Sequence, residues 1–207
     1  MVGTALSTSL DGFIAGAGDN EDLAAADPVT RHGRGGDRLF SWLTAGDTPS
    51  RINPNFTMSA PSAAFFDEGV GATGAVVAGR RTYDVSGAWG GRGPMPGLPL
   101  FVVSHHVPDD VPAGEPPYTF VTDGIEAAIE RARAAARGKD VQLMGASIVQ
   151  QAIRAGLLDE LVINLVPVVL GRGVRLLDNL DPGSLELELK RVIDAPGATH
   201  LTYRVLR

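Results

Sequence analysis

The 207-residue chain contains no cysteine. That excludes disulfides, a cysteine nucleophile and a thiolate metal site. Nor does any apolar run approach the ~18 residues of a bilayer-spanning helix. The first residues alternate apolar with small and polar ones instead of placing a basic segment before an apolar core, so neither a membrane span nor a signal peptide is expected. Positive charge is in deficit: 18 Lys and Arg stand against 24 Asp and Glu, a net charge of −6. A surface of that sign repels a phosphate backbone, which argues against a nucleic-acid partner. Only four histidines occur and no dense carboxylate cluster accompanies them, so no metal is expected. The G-x-S-x-G elbow, the Walker loop and the H-E-x-x-H helix are also missing. What these absences leave is a cytoplasmic chain whose partner is a small molecule.

The composition that remains is that of a globular protein, 44% hydrophobic and 20% charged. The length suits one domain with a sizeable core, residues 1–207 without linker or repeat. Residues 2–10 read as a first strand, turned by Asp11-Gly12 and continued briefly by 13–15. Residues 17–58 are irregular, rich in Gly, Asp, Arg and Pro, around an apolar island at Leu39, Phe40, Trp42 and Leu43. A loop of that length has a task or is disordered; the island argues that part of it packs down and makes it a candidate lid. A helix is expected over 60–70, capped by Ser59, with Ala63, Phe66 and Val70 on one face. Short apolar runs at 75–78, 100–104, 118–122, 141–144 and 161–170 read as buried strands. Short helices are expected over 81–88 and after two capping boxes, Asp123 with Glu126 and Ser147 with Gln150. Alternation around Leu185-Leu187-Leu189 and Leu201-Tyr203-Val205 marks two half-exposed strands joined by Pro196-Gly197. This order implies an α/β fold with a mixed, mostly parallel sheet and an antiparallel hairpin at its C-terminal edge.

Gly69-Val70-Gly71-Ala72-Thr73-Gly74 matches the dinucleotide fingerprint, but a helix precedes it and a strand follows, the reverse of what that fingerprint requires. It reads as a helix-to-strand turn. Three other segments leave strands in the right direction. Gly79-Arg80-Arg81-Thr82 offers a helix start, a hydroxyl and two guanidinium groups to a phosphate. Ser104-His105 follows the next strand, and Met144-Gly145-Ala146-Ser147-Ile148-Val149 enters a helix through small residues. Strand ends in such sheets share one rim, where ligands sit, so the three segments can together cradle a phosphorylated dinucleotide. Each also has a plain reading: a solvated basic pair, solvated histidines, a tight packing turn.

Those segments, with Ser9 to Ala15, Gln150-Gln151, Leu158 to Leu161, Pro167 and Gly171-Arg172-Gly173, resemble the dihydrofolate-reductase-like superfamily over nearly the whole chain. Within it the chain is most similar to the C-terminal reductase domain of the riboflavin-biosynthesis deaminase-reductase. The resemblance implies a three-layer fold with about eight strands and NADPH as cofactor. It implies that Gly79, Arg80, Arg81 and Thr82 contact phosphates and that Ser104 and His105 lie by the adenosine 2′-phosphate. It further implies that Gly145, Ala146, Ser147, Ile148 and Val149 hold the pyrophosphate, and that Ala5, Ile14 and Ala15 flank the nicotinamide. NADP over NAD rests on Arg80, Arg81, Ser104 and His105. Met144 stands where relatives carry a glycine, and Ala63 stands near the position of the acidic residue that binds the pterin in folate reductases, with Asp67 one turn further. Efficient dihydrofolate reduction is therefore not expected. Asp11 is the side-chain candidate for proton donor, against an Asx-type turn or a water-borne proton. Asn164, buried in a strand, contacts either substrate or a structural partner. Phe40, Trp42, Phe66 and Trp89 are candidates for a substrate wall, against ordinary core. The expected activity is an NADPH-dependent reductase of a small heterocyclic or carbonyl compound. A riboflavin-pathway ribosylamino-pyrimidine reductase and a catalytically silent nucleotide binder are the alternatives. Related domains pair, so a homodimer is expected.

Overall fold

The computed structural model describes residues 1–18, 32–181, 183 and 185–206. In chain order the strands and α-helices are β1 (Val2–Ser9), β2 (Phe13–Gly16), β3 (Thr48–Pro49), β4 (Thr57–Met58), α1 (Ala60–Ala72), β5 (Thr73–Gly79), α2 (Arg80–Val85), β6 (Leu100–Val103), β7 (Thr119–Val121), α3 (Ile125–Ala135), β8 (Asp140–Met144), α4 (Ala146–Arg154), β9 (Glu160–Val166), β10 (Gly173–Arg175), β11 (Glu186–Ala195) and β12 (Ala198–Leu206). Gly36–Leu43 and Gly87–Gly91 form 3₁₀ helices. Eight strands make one sheet in the order β11-β12-β9-β1-β8-β5-β6-β7. The five pairings from β9 to β7 are parallel, and β12 with β11 is the antiparallel hairpin expected at the C-terminal edge.

Strand alternation separates the two faces of the sheet. Val2, Val77, Leu143 and Leu161 pack with Ile129 of α3 and Val149 and Ile153 of α4 in the main core. On the opposite face Val166 and Ala198 pack against Leu39 and Trp42 of the first 3₁₀ helix and Ala63 of α1. Val76, Ala78, Leu100 and Val102 form a third cluster with Tyr83 of α2. The apolar island inside the long irregular segment therefore packs down: Leu39 is fully buried and Trp42 nearly so. Residues 19–31, the middle of the segment expected to act as a lid, lie outside the described residues.

Several local expectations are corrected. Neither capping box forms. Gly124 and Gly145 are the N-caps of α3 and α4, both at positive φ. Asp123 instead pairs with Arg131 at 2.8 Å, and Gln150 donates to the Arg175 and Leu176 carbonyls. On α1 the buried residues are Ser62, Ala63 and Asp67, a polar stripe rather than the apolar Ala63-Phe66-Val70 face. β9 ends at Val166 rather than at 170, because Pro167 has no N–H to continue the ladder. A register shift between Leu189 and Arg191 breaks the alternation of β11 and leaves Leu189 53% exposed. The G-x-G-x-x-G decoy is the expected helix-to-strand junction. Gly69 and Gly71 face open space, whereas a Cβ on Gly74 would overlap the Ala136 carbonyl at the end of α3.

Candidate functional site

β8, β5 and β6 are consecutive neighbours in the sheet, and the pairings Ala78–Met144 and Gly79–Val103 bring their carboxyl ends to one rim. The three segments singled out in the sequence leave from those ends. Gly145 opens α4 with φ 102° and ψ 143°, a conformation for glycine. A Cβ there would overlap the Thr82 hydroxyl, so the start of α4 and the first turn of α2 meet at the closest approach a backbone allows. The α hydrogens of Gly79 face Ile148 and Ser147, where a Cβ would come within 3.1 and 3.5 Å. Gly79, Thr82, Gly145, Ser147 and Ile148 thus pack together where β5 and β8 pass into α2 and α4, with Gly79 and Ile148 buried. The Met144–Gly145 bond is trans; the cis bond among the described residues is Glu115–Pro116.

Arg80 projects from the same rim toward a cavity of about 410 Å³ between α2 and the loop after β6. Its Nε donates to both oxygens of Asp84, at 2.9 and 3.0 Å, while its buried Nη1 has no protein partner. Tyr83 also lines the cavity; it is 4% exposed and its hydroxyl is unpartnered. Ser104 does not face a ligand in the expected way. Its hydroxyl donates to the His106 carbonyl at 2.7 Å, and the turn this makes puts His106, rather than the exposed His105, on the cavity. Arg81 is half-buried and does not line it.

Ala5 sits in the middle of the sheet, on the strand between β9 and β8, yet it is exposed. A small exposed residue in a central strand marks a cleft in the face above it. Ile14 and Ala15 lie half-buried on β2, which pairs with β10 through Ala15–Val174. Asp11, in the turn between β1 and β2, accepts hydrogen bonds from the Leu170 and Gly171 amides at 3.1 and 2.7 Å. The Ser9 hydroxyl above all, with those two amides, holds its carboxyl down at about 2. A carboxylate so placed stays ionised near neutrality and has no proton to give. The turn-holding role fits it and the donor role does not.

The layer over β1, β9 and β12 is built differently. Ser7, Asn164 and His200 are neighbours in register across β1, β9 and β12. The Asn164 Oδ1 and His200 Nδ1 are 2.8 Å apart, and the His200 Nε2 and Ser62 hydroxyl 2.9 Å apart. Trp42 Nε1 donates to the Ser7 hydroxyl at 3.0 Å. Phe65 stacks on the His200 ring and Trp42 meets it edge-on. His200 is wholly buried, and burial pushes its pKa down to about 4, so it is a neutral hydrogen-bonding spacer. Asn164 therefore has a structural partner. Asp67 is likewise engaged: it accepts from the Ser50 hydroxyl at 2.6 Å and from the Arg51 amide at 3.0 Å, fastening the preceding loop to α1. Burial works to raise its pKa, but these donors more than offset that and leave it below the ordinary value. Phe40, Trp42 and Phe66 gather in one cluster. Trp89 does not join them. It packs in the cluster under β5 and β6, in a stretch where Ala88, Trp89 and Gly90 all run left-handed and Tyr118 donates to the Ala88 carbonyl at 2.6 Å.

Sequence reasoning missed His200 and Asp84, and read Tyr83 only as the last residue of the segment Gly79-Arg80-Arg81-Thr82-Tyr83, without a role of its own. The Arg80–Asp84 spacing of four along a helix was readable. His200 was signalled only by its place on the buried phase of β12.

The sequence profile of the RibD C-terminal domain matches residues 1–201. The chain belongs to the RibD C-terminal domain family. No curated protein matches the sequence. A protein from Shewanella sp. PV-4 assigned to riboflavin biosynthesis is similar over 100% of this chain and 99% of its own, at 24% identity and a TM-score of 0.70. The Thermotoga maritima diaminohydroxyphosphoribosylaminopyrimidine deaminase/5-amino-6-(5-phosphoribosylamino)uracil reductase is 12% identical with a TM-score of 0.60; this chain covers 56% of it. Enterococcus faecalis dihydrofolate reductase, solved with NADP(H), is 15% identical over 100% of this chain and 97% of its own, with a TM-score of 0.56. These likenesses show that the fold is dihydrofolate-reductase-like.

Proposed function

We propose that this chain is a reductase that delivers a hydride from NADPH to a small heterocyclic or carbonyl substrate. The oxidoreductase class follows from the family and the fold. The observation that carries the reading is the contact of Gly145 with Thr82 on the rim shared by β8, β5 and β6. Glycines at 79 and 145 let the starts of α2 and α4 pack closely on one rim, and the amide ends at the start of α4 favour the negative charge of a pyrophosphate. Ala146, Ser147, Ile148 and Val149 complete that helix start, with Arg80, Arg81 and Thr82 beside it. Ser104 and His105 mark the adenosine end in this reading, and the cleft over Ala5, bordered by Ile14 and Ala15, receives the nicotinamide. That cofactor, when bound, supplies the hydride. The protein supplies position and a dry pocket. Phe40, Trp42 and Phe66 form the apolar border on the substrate side, and the proton comes from solvent because Asp11 holds none.

The absence of a free carboxylate on α1 argues against a pterin substrate. Family membership and the neighbours described as pyrimidine reductases favour a second reading, reduction of a ribosylamino-pyrimidine phosphate. The expected result is NADPH binding in the micromolar range, about −8 kcal/mol, followed by its quenching of tryptophan fluorescence. No binding at ~1 mM NADPH overturns both readings. Turnover of the ribosylamino-pyrimidine phosphate selects the second, and tight binding without hydride transfer across a carbonyl and heterocycle panel selects a silent nucleotide binder. A cytoplasmic homodimer is part of the proposal, its pairing measurable by sedimentation. No helix among the described residues is long and apolar enough to cross a membrane.

A further inference from the structure

The cavity beside Arg80 departs from what a second phosphate requires. Its charged lining is Arg80 against Asp84, Asp109 and Asp110, with His106 and Tyr83 as the remaining titratable groups. The Arg80 guanidinium is already paired, Nε to both Asp84 oxygens. The Ser104 hydroxyl is turned to the His106 carbonyl. Two polar groups of the cavity residues, the Arg80 Nη1 and the hydroxyl of Tyr83, have no protein partner, but both are enclosed by protein rather than open to the cavity. A phosphomonoester dianion entering this space meets one available cation and three carboxylates. A ribose hydroxyl meets carboxylate acceptors, which suit a neutral hydrogen-bond donor.

We infer that Asp84 is a specificity-determining residue, and that the carboxylates around Arg80 make this pocket accept a plain ribose about as readily as a 2′-phosphorylated one. The inference rests on the nicotinamide-dinucleotide reading above. It also concerns the one end of that dinucleotide where the donor set fits least. Asp84 acts through Arg80, drawing the guanidinium to itself and opposing the incoming phosphate. Asp109 and Asp110 are exposed and solvent-screened, so each opposes it less.

Calorimetric titration of the full chain tests this with the fragments 2′,5′-ADP and 5′-AMP, alongside NADPH and NADH. In the wild type the phosphorylated member of each pair is expected within about tenfold of its partner, since like charges in the pocket offset the Arg80 attraction. Asp84→Asn is expected to tighten 2′,5′-ADP by roughly five- to tenfold and to leave 5′-AMP within about twofold. Asp84→Glu restores the wild-type ratio. Asp109→Asn and Asp110→Asn, on an exposed loop where folding is not at stake, shift the ratio the same way by about twofold. A wild-type preference for 2′,5′-ADP of ~100-fold or more overturns the inference, as does a loss of 2′,5′-ADP affinity in Asp84→Asn, which would make Asp84 the residue that aims Arg80 at phosphate. NADPH binding with an unmoved ratio overturns this inference alone. Failure of all four probes to bind overturns the dinucleotide reading and this inference with it.

Discussion

Two regions along the sheet are held together by different means. The rim over β8, β5 and β6 is built from neighbours in short stretches of chain, Gly79 to Thr82 and Gly145 to Ile148, brought together by the close approach of Gly145 to the Thr82 side chain. The layer over β1, β9 and β12 is a chain of buried polar groups separated by long stretches of sequence. Ser7 meets Trp42 across 35 residues, Asn164 meets His200 across 36 and Ser62 meets His200 across 138. Backbone and glycine make the first region, so it can approach a ligand closely. Side chains hydrogen-bonded to one another make the second, so it rigidifies that part of the sheet.

The hardest blow to this contrast is a Cβ on the rim. Gly145→Val places a branched side chain at φ 102° against Thr82. NADPH affinity is expected to drop by ~100-fold or more, with a stability loss of about 1–3 kcal/mol from the forced backbone. Fluorescence titration and thermal melts separate the two effects. Pairing Gly145→Ala with Thr82→Ala should recover part of the binding that Gly145→Ala alone removes, because the overlap is with the Thr82 side chain. Binding that survives Gly145→Val within threefold would mean the rim is not the cofactor site.

The polar layer should answer in the opposite sense. His200→Ala empties a fully buried ring site and orphans Asn164 and Ser62. A loss of ~3 kcal/mol is expected in denaturant melts, with NADPH affinity of the folded fraction within about twofold of wild type. A small stability loss with a large change in KM for substrate would instead make His200 part of the site.

Acid gives a gentler version of the same test. His200 has a folded pKa of about 4, below its ordinary value of 6.5. The unfolded chain therefore takes up a proton that the folded chain refuses. Stability from this group is complete above about 6.5 and falls as pH drops toward 4, by roughly 1–3 kcal/mol. His200→Gln, which cannot titrate, should flatten the melting curve in that window. Asp11, held at about 2 from 3.8, acts in a lower window: its contribution is full above 3.8 and is lost as pH falls through 2. Melts of wild type and His200→Gln that decline in parallel between pH 6.5 and 4 would remove His200 as the cause.

Much of the fold was legible because its signals are local. Apolar runs bounded by glycine and proline marked β5, β6, β8 and β9, and alternation marked β12. The strand-to-helix junctions at 79–82 and 144–149 were readable for the same reason, since glycine at a strand end has a conformational meaning. The polar layer was not. A serine, an asparagine and a histidine far apart in the chain become neighbours only through sheet order, and nothing in any window of sequence states that order. The acid ring around Arg80 was half legible: the helix spacing exposes Asp84, while Asp109 and Asp110 join it through the path of a loop.

The smallest expected effect separates a local signal that was read from the structure that formed. Asp123 with Glu126 has the spacing of a capping box, and loss of such a cap costs about 1 kcal/mol. The helix instead starts after Gly124 at φ 95° without a side-chain cap, and Asp123 pairs with Arg131 with both side chains about half exposed. A solvent-screened pair of that kind is worth a few tenths of a kcal/mol. Asp123→Ala should therefore lower stability by less than ~0.5 kcal/mol, by an amount that shrinks with added salt. A loss near 1 kcal/mol that is indifferent to salt would restore the capping box, since a side-chain-to-amide bond does not depend on the Arg131 charge. In that event the rule that failed at α3 would have been right, and the positive-φ glycine would be a consequence of the cap rather than its replacement.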